Sequence, residues 1–283
     1  MNDDGMTTIG LLHPGSMGSS IGAATRASGA RVIWASEGRS ESSRKRAEQD
    51  DLEDVGWLNA IVNQSKIILS ICPPENAIEV AEEVFNLGFR GIYVDANAIA
   101  PDTSRHISGI VDYNNATYVD GGIIGGPARK PGSTRLYLAG NSANYVSQFM
   151  DKGDLGVVCI DGADIGAASA LKMAYSAWTK GSSALLTNVL ALAISEGVDT
   201  VLIDEWKLSQ QALLERTETN LPVVAAKAWR FVGEMLEMAK TFEANDLPPG
   251  FHQAAAEVYT HLVDFKDDPE APGGLDLAKH LLD

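Results

Sequence analysis

The chain has 283 residues, 45% of them hydrophobic, with 38 acidic against 22 basic side chains and a formal net charge of -16. That length and apolar content suit one large or two smaller domains, and the acidic balance argues against nucleic acid, whose binders carry a basic face. No apolar run reaches membrane-spanning length, and the start, MNDDGMTT, is acidic and polar rather than signal-peptide-like, so a cytoplasmic location without membrane or nucleic-acid partners is expected.

In chain order, TTIGLL is a short apolar strand, followed by a small-residue helix, SMGSSIGAATRAS, closed by Gly29. RVIWA is the next strand and SESSRKRAEQ a charged helix. IILSIC is an apolar strand, PENAIEVAEEVF a helix opened by Pro74, GIYVDA a strand and PDTSRHISGIV a helix. Then TYVDGGII, TRLYLAG and GVVCI read as strands. Continuous apolar strands between helices predict a parallel sheet covered on both faces, hence a Rossmann-type α/β domain over residues 1–162. From Ile165 to about Gly197 the sequence reads as one long helix, and helical segments continue to about Phe265 without a strand. Residues 163–283 are therefore expected to form an all-α domain joined to the first by that long helix. Cys72 and Cys159 fall in apolar segments without metal-ligand spacing, so reduced thiols and no metal site are expected.

The turn after the first strand reads Leu12-His13-Pro14-Gly15-Ser16-Met17-Gly18. It is a dinucleotide-binding loop in outline, lacking the first glycine of G-x-G-x-x-G. Gly15 lets backbone approach a pyrophosphate and Gly18 lets the helix lie close to the sheet, while Ser16 and the first helical amides face phosphate at the positive end of the helix dipole. His13 precedes proline, which favours extended geometry. It is expected to fill the turn rather than to catalyse.

IGLLHPGSMGSSIG resembles the opening of the β-hydroxyacid dehydrogenase superfamily, which includes 6-phosphogluconate and 3-hydroxyisobutyrate dehydrogenases. CPPENAIEVAEEV is similar to its L-P/C-x-P segment, YVDANAIAP to its D-x-S-T-x-x-P segment, YVDGGIIGGP to its D-A-P-V-S-G-G segment, and DIGAASALKMAYS to its G-x-x-x-x-x-K-x-x-N-N segment. The resemblance implies that the loop from His13 to Gly18, together with Cys72, Pro73, Pro74 and Asn97, binds a nicotinamide cofactor. It also implies that Asn97, Gly122, Ile123, Ile124, Gly125, Tyr175 and Ser176 line a substrate site, and that Lys172 is the acid/base group. Partial burial suits a lysine to that role. The chain departs from the family at five substrate positions: Asn97 and Ala98 replace Ser-Thr, Ile124 replaces the serine of S-G-G, and Tyr175 and Ser176 stand where Asn is usual. A simple 3-hydroxy acid is thereby placed in doubt. Gly125 and Gly126 keep backbone amides for an oxyanion, and Arg129, Lys130 and Arg135 could hold an anionic group.

At the end of the second strand an acid would favour NAD(H). Here Ser36, Arg39 and Ser40 suit a 2′-phosphate and Glu37 argues the other way, so NADP(H) is expected over NAD(H). On the long helix Ser169, Lys172, Ser176, Thr179, Ser183 and Thr187 form a polar stripe, expected to face a wet cleft, with Leu171, Tyr175, Trp178, Leu185 and Val189 on the packed side. The expected function is an NADP(H)-dependent oxidoreductase moving hydride between nicotinamide and a small alcohol or hydroxy acid. The alternatives are an imine reductase-like enzyme, against which Lys172 speaks, and a nucleotide-binding regulator without turnover. VVAAKAWRFVGEMLEMAKTF carries more large apolar groups than one small helical domain readily buries, so a homodimer through the C-terminal helices is expected.

Overall fold

The computed structural model describes residues 6–282, so the start of the acidic leader lies outside the described residues. The chain packs as two compact units that divide after Lys172, inside its longest helix.

The first unit runs β1 (Thr8–Leu11), α1 (Ser16–Ala27), β2 (Arg31–Trp34), α2 (Glu41–Gln49), β3 (Glu53–Asp54), α3 (Leu58–Gln64), β4 (Ile67–Ser70), α4 (Ala77–Asn86), β5 (Ile92–Asp95), α5 (Pro101–Tyr113), β6 (Thr117–Gly125), β7 (Thr134–Ala139), α6 (Ala143–Ser147) and β8 (Leu155–Cys159), then the start of α7 (Ala167–Ser195). Its sheet has the order β3-β2-β1-β4-β5-β6-β7-β8. Successive strand residues alternate between two cores. Ile9, Leu11, Ile67 and Leu69 pack on one face, and Ile33, Ile68, Tyr93 and Tyr118 on the other. That explains why these strands read as unbroken apolar runs. The order reverses between β1 and β4, and the turns that leave their carboxyl ends meet at this switch point, where doubly wound sheets bind ligands.

The sheet is not parallel throughout, as the apolar runs predicted. β6 and β7 pair antiparallel, and β8 runs parallel to β7. The connection 126–133 is too short for the crossover that parallel neighbours require, and its Pro-Gly content makes a hairpin loop instead. α3, β3 and α6 carry too little periodicity to be seen in the sequence.

In the second unit the rest of α7 is followed by α8 (Asp199–Ser209), α9 (Gln211–Thr219), α10 (Leu221–Ala225), α11 (Ala228–Glu243), α12 (Gly250–Thr260) and α13 (Gly274–Lys279); no strand follows β8 among the described residues. Phe231 meets Tyr259 edge-on at 5.4 Å, and Phe242 lies 4.3 Å from the His252 ring. Tyr259 donates to the Lys180 carbonyl at 2.7 Å, and Lys180 is paired with Glu234. In the apolar segment that raised the expectation of an interface, Phe231, Met235 and Met238 are buried, whereas Val223 and Leu236 are exposed.

The faces of α7 are the reverse of those expected. Ser176, Ser183 and Thr187 are buried, whereas Trp178, Leu185 and Leu192 are 72%, 63% and 62% exposed. The Ser183 and Thr187 hydroxyls need no wet cleft, because they bond back to their own helix: Ser183 donates to the Thr179 carbonyl at 3.1 Å and Thr187 to that of Ser183 at 3.0 Å. Satisfied in this way, small hydroxyl side chains pack as tightly as alanine. Among the described residues no helix is long and apolar enough to cross a membrane.

Candidate functional site

β1 ends at Leu11 and the chain turns through His13, Pro14 and Gly15 into α1. The Gly15 amide donates to the His13 carbonyl at 2.8 Å, and the Ser19 amide to the Gly15 carbonyl at 2.9 Å. The amides of Ser16, Met17 and Gly18 then have no intrahelical acceptor, as in any first helical turn. A Cβ on Gly18 would run into the His13 carbonyl oxygen, whereas one on Gly15 would meet nothing within 4 Å. Gly18 thus permits close packing, and Gly15 leaves an open cradle beside free amides. The missing first glycine is replaced by a tight turn at His13 itself. Burial, then the neighbouring Arg39 charge, push the His13 imidazole down to about 4, so it is neutral at pH 7. Its Nδ1 is buried without a partner.

The second strand delivers Ser36, Arg39 and Ser40 to the same edge. Ser36 is buried; its amide donates to Asp54 at 3.1 Å and its carbonyl accepts from Arg44 at 2.7 Å. Ser40 caps α2, its hydroxyl accepting from the Ser43 amide at 3.2 Å. Arg39 is half-buried beside His13, Glu83 and Cys72, with its Nε buried and unpartnered. Glu37 is exposed, and its amide donates to the Gly56 carbonyl at 2.9 Å.

Cys72, Pro73 and Pro74 form the turn after β4. Burial, reinforced by Asp95, pushes the Cys72 thiol up to about 12, so it is an unreactive free thiol. Asn97 is 2% exposed and its amide is spent inside the protein. The oxygen accepts from the Cys72 amide at 2.6 Å, and the nitrogen donates to Ser70 at 3.2 Å. Asn97 therefore ties the β4 and β5 turns together.

Two buried carboxylates went unnoticed in the sequence, although each closes an apolar run as Tyr-Val-Asp. Ser70, Asp95 and Asp120 stand side by side on β4, β5 and β6. Burial pushes the Asp95 carboxyl up to about 7, and its Oδ2 is unpartnered. Asp120 is fully satisfied. Oδ1 accepts from Ser104 at 2.9 Å and Ser169 at 2.6 Å; Oδ2 accepts the amides of Gly166, Ala168 and Ser169 at 3.0, 2.8 and 3.1 Å. This anion at the amino end of α7 fixes where the helix begins. Gly122 lies directly under the same turns: a Cβ there would stand 2.5 Å from the Ala168 carbonyl oxygen and 3.3 Å from Lys172 Cβ. Lys172 is thereby held on the face of β6 that Gly122 shares with the buried Ile124; Ile123, expected to line the substrate site, instead points to the opposite face into the sheet core, and Gly125 is exposed. Tyr175 and Ser176 belong to the second unit, Tyr175 exposed and Ser176 buried. Arg129 is not free to hold an anion, because it forms a bidentate pair with Asp50 at 2.5 and 2.9 Å. The Arg135 guanidinium bonds the Gly132 carbonyl at 2.9 Å.

These features define a dinucleotide-type fold with a lysine-bearing helix docked on its sixth strand, and solved structures share the fold. The chain is 31% identical over 207 residues to an uncharacterised 28.5 kDa protein in the 7S RNA 5′ region of Methanothermus fervidus, covering 73% of this chain and 76% of that protein. Residues 193–262 match a domain of unknown function, DUF1932. A conserved protein of unknown function, described as structurally similar to 3-hydroxyacid dehydrogenases, superposes with a TM-score of 0.66 at 26% identity, over 91% of this chain and 97% of that one. Mycobacterium tuberculosis 3-hydroxyisobutyrate dehydrogenase with L-serine gives 0.67 at 15% identity, over 98% and 99% of the two chains. An imine reductase from Myxococcus stipitatus in complex with NAD+ gives 0.55 at 18%, over 98% and 99%. The chain belongs to the family of the Methanothermus protein, and its fold is that of the 3-hydroxyacid dehydrogenases.

Proposed function

We propose that the protein is an NADP(H)-dependent oxidoreductase that interconverts a small alcohol or hydroxy acid with its carbonyl partner, with Lys172 as the general acid/base. The observation that carries this reading is the docking of α7 on Gly122 and Asp120, which holds Lys172 at β6 on the sheet whose glycine loop would take the cofactor. The loop fits a dinucleotide: Gly15 is open, the first amides of α1 lack helical acceptors, and His13 Nδ1 and Arg39 Nε are buried polar atoms without partners. The residues from His13 to Gly18 would hold the pyrophosphate, with Cys72, Pro73 and Pro74 beside it. Ser36, Arg39 and the Ser40-capped start of α2 would take a 2′-phosphate.

When bound, the nicotinamide supplies or accepts the hydride. Lys172 Nζ takes the proton of the substrate hydroxyl during oxidation, and returns a proton to the carbonyl oxygen during reduction. The Gly125 and Gly126 amides bind a substrate oxygen, and the buried Ile124, on the same face of β6 as Gly122, gives that strand an apolar lining. Asn97 acts by holding the Cys72 turn rather than by touching the reacting oxygen. Asp120 acts by holding α7. The test is Lys172→Met, assayed on a substrate found by screening NADPH oxidation against carbonyl compounds. Turnover should fall about 10²–10⁴-fold with NADPH affinity retained. Wild-type turnover in the variant would overturn the mechanism and favour an imine reductase-like proton donor such as Tyr175. NADPH binding without turnover on any compound would leave a nucleotide-binding regulator.

The protein is also proposed to be a cytoplasmic homodimer, built on the exposed face of α7 rather than on α11. Trp178, Leu185 and Leu192 recur every seven residues, interleaved by Tyr175, Ser182 and Val189, the spacing of a helix-pairing seam. Beside it Gly181, Ala184, Ala254 and Ala255 line a groove of about 630 Å³, with Phe251 80% exposed at its edge. A face carrying both ridge and groove suits a second copy of itself. Its exposed aromatic and leucine side chains amount to roughly 600 Å², near the ~800 Å² per partner of a stable interface.

A further inference from the structure

We infer that the Asp50–Arg129 pair is a positioning device that transmits occupation of the glycine loop to the Gly125–Gly126 segment. This rests on the reading of that loop as a dinucleotide site. Arg129 lies in the β6–β7 connection, immediately beyond the segment whose amides face substrate. Asp50 caps the carboxyl end of α2, and its side chain is 6% exposed. It accepts both guanidinium nitrogens of Arg129, at 2.5 and 2.9 Å, and also the Ser19 hydroxyl from the first turns of α1. One residue along α1, the Ser20 hydroxyl accepts the Ala128 amide at 2.9 Å. The connection is therefore fastened to α1 at two consecutive positions.

The same assembly reaches the glycine loop from the other side. Arg46, on α2, donates to the Pro14 carbonyl at 3.3 Å. The connection has little slack where it enters β7. Thr134 donates to the Gly126 carbonyl at 2.6 Å, and Gly125 has φ +118, with no room for a Cβ against the Ser133 carbonyl. A rigid hairpin bolted to α1 must follow that helix. When phosphate oxygens engage the amides of Ser16 to Gly18, the settling of α1 is delivered through Ser19, Asp50 and Arg129 to the Gly125 and Gly126 amides. The substrate segment thus takes its final, most protected position only once cofactor is in place. Only arginine offers the planar fork that spans both oxygens of Asp50. Although burial opposes it, hydrogen bonds from Arg129 and Ser19 hold the Asp50 carboxyl below its ordinary range, so the pair is charged at neutral pH.

Amide hydrogen exchange on the full-length protein, with and without saturating NADPH, tests the proposal. Arg129→Gln is compared with wild type and with Lys130→Gln, an exposed neighbour outside the pair. In wild type and Lys130→Gln, NADPH should slow exchange by about tenfold both at the cofactor turn 71–76 and at 124–130. In Arg129→Gln the turn 71–76 should stay protected by NADPH while NADPH protection of 124–130 is lost, on top of a lower melting temperature from the Asp50 carboxylate left without its partner. A merely structural brace would instead loosen 124–130 with and without NADPH alike and leave the NADPH effect intact, which overturns the inference. So does a wild-type 124–130 segment indifferent to NADPH. If NADPH protects neither segment in wild type, the dinucleotide reading fails and the coupling falls with it.

Discussion

Alanine at positions 15 and 18 separates the two tasks that glycine performs in the loop. At Gly18 the added methyl collides with the His13 carbonyl oxygen, which is itself held by the Gly15 amide at 2.8 Å. α1 must lift from the turn, an overpacking that costs about 1–3 kcal/mol, offset by at most ~1 kcal/mol of better helix propensity. For a chain of this size a net loss of about 1–2 kcal/mol lowers Tm by roughly 2–8 °C. At Gly15 the methyl enters open space, and φ -68 is ordinary for alanine, so stability should stay within about 0.5 kcal/mol of wild type. That methyl instead fills the cradle left for phosphate and should raise the NADPH dissociation constant at least about tenfold, or ~1.4 kcal/mol. Thermal melts without ligand, paired with NADPH titration followed by protein fluorescence, read the two effects separately. A Gly15→Ala protein that binds NADPH as tightly as wild type refutes the cradle. A Gly18→Ala protein that melts with wild type refutes the packing.

Arg39→Ala should weaken NADPH and leave NADH almost unchanged; equal losses in paired titrations would count against a 2′-phosphate contact. Asp95, pushed by burial up to about 7, is protonated more readily in the folded than in the unfolded chain. Its contribution to stability is therefore whole below about pH 4 and is lost as pH rises through about 7, by up to ~4 kcal/mol. Asp95→Asn should flatten that fall in urea midpoints between pH 5 and 8, and an unchanged slope would refute it. Leu185→Glu should convert a sedimenting dimer into a folded monomer with unchanged circular dichroism, whereas Leu236→Glu on α11 should not. A wild-type protein that is monomeric at tens of micromolar would dispose of the α7 interface.

Much of the architecture was legible in the chain because local chemistry repeats itself. Apolar runs of strand length, amphipathic helices between them, and small residues after β1 specify a doubly wound sheet, and the ordered segments around Asn97, Gly122 and Lys172 carry its resemblance to the β-hydroxyacid dehydrogenases. The hairpin of β6 and β7 is legible in the shortness of 126–133, but strand composition alone points to a parallel pair and hides it.

What the sequence by itself determined is the inventory: a glycine loop, a lysine early in a long helix, and an acid closing each of two Tyr-Val-Asp runs. Only the tertiary structure decided what each side chain is engaged with. Whether Arg129 meets an anion from solution or Asp50, 79 residues away, depends on which loops the sheet brings together, and no local pattern records that. The same holds for α7. Periodicity separates its two faces, but a hydroxyl bonded back to its own helix packs as an apolar group. Which face is buried was therefore set by the helices packed against α7, not by its own polarity.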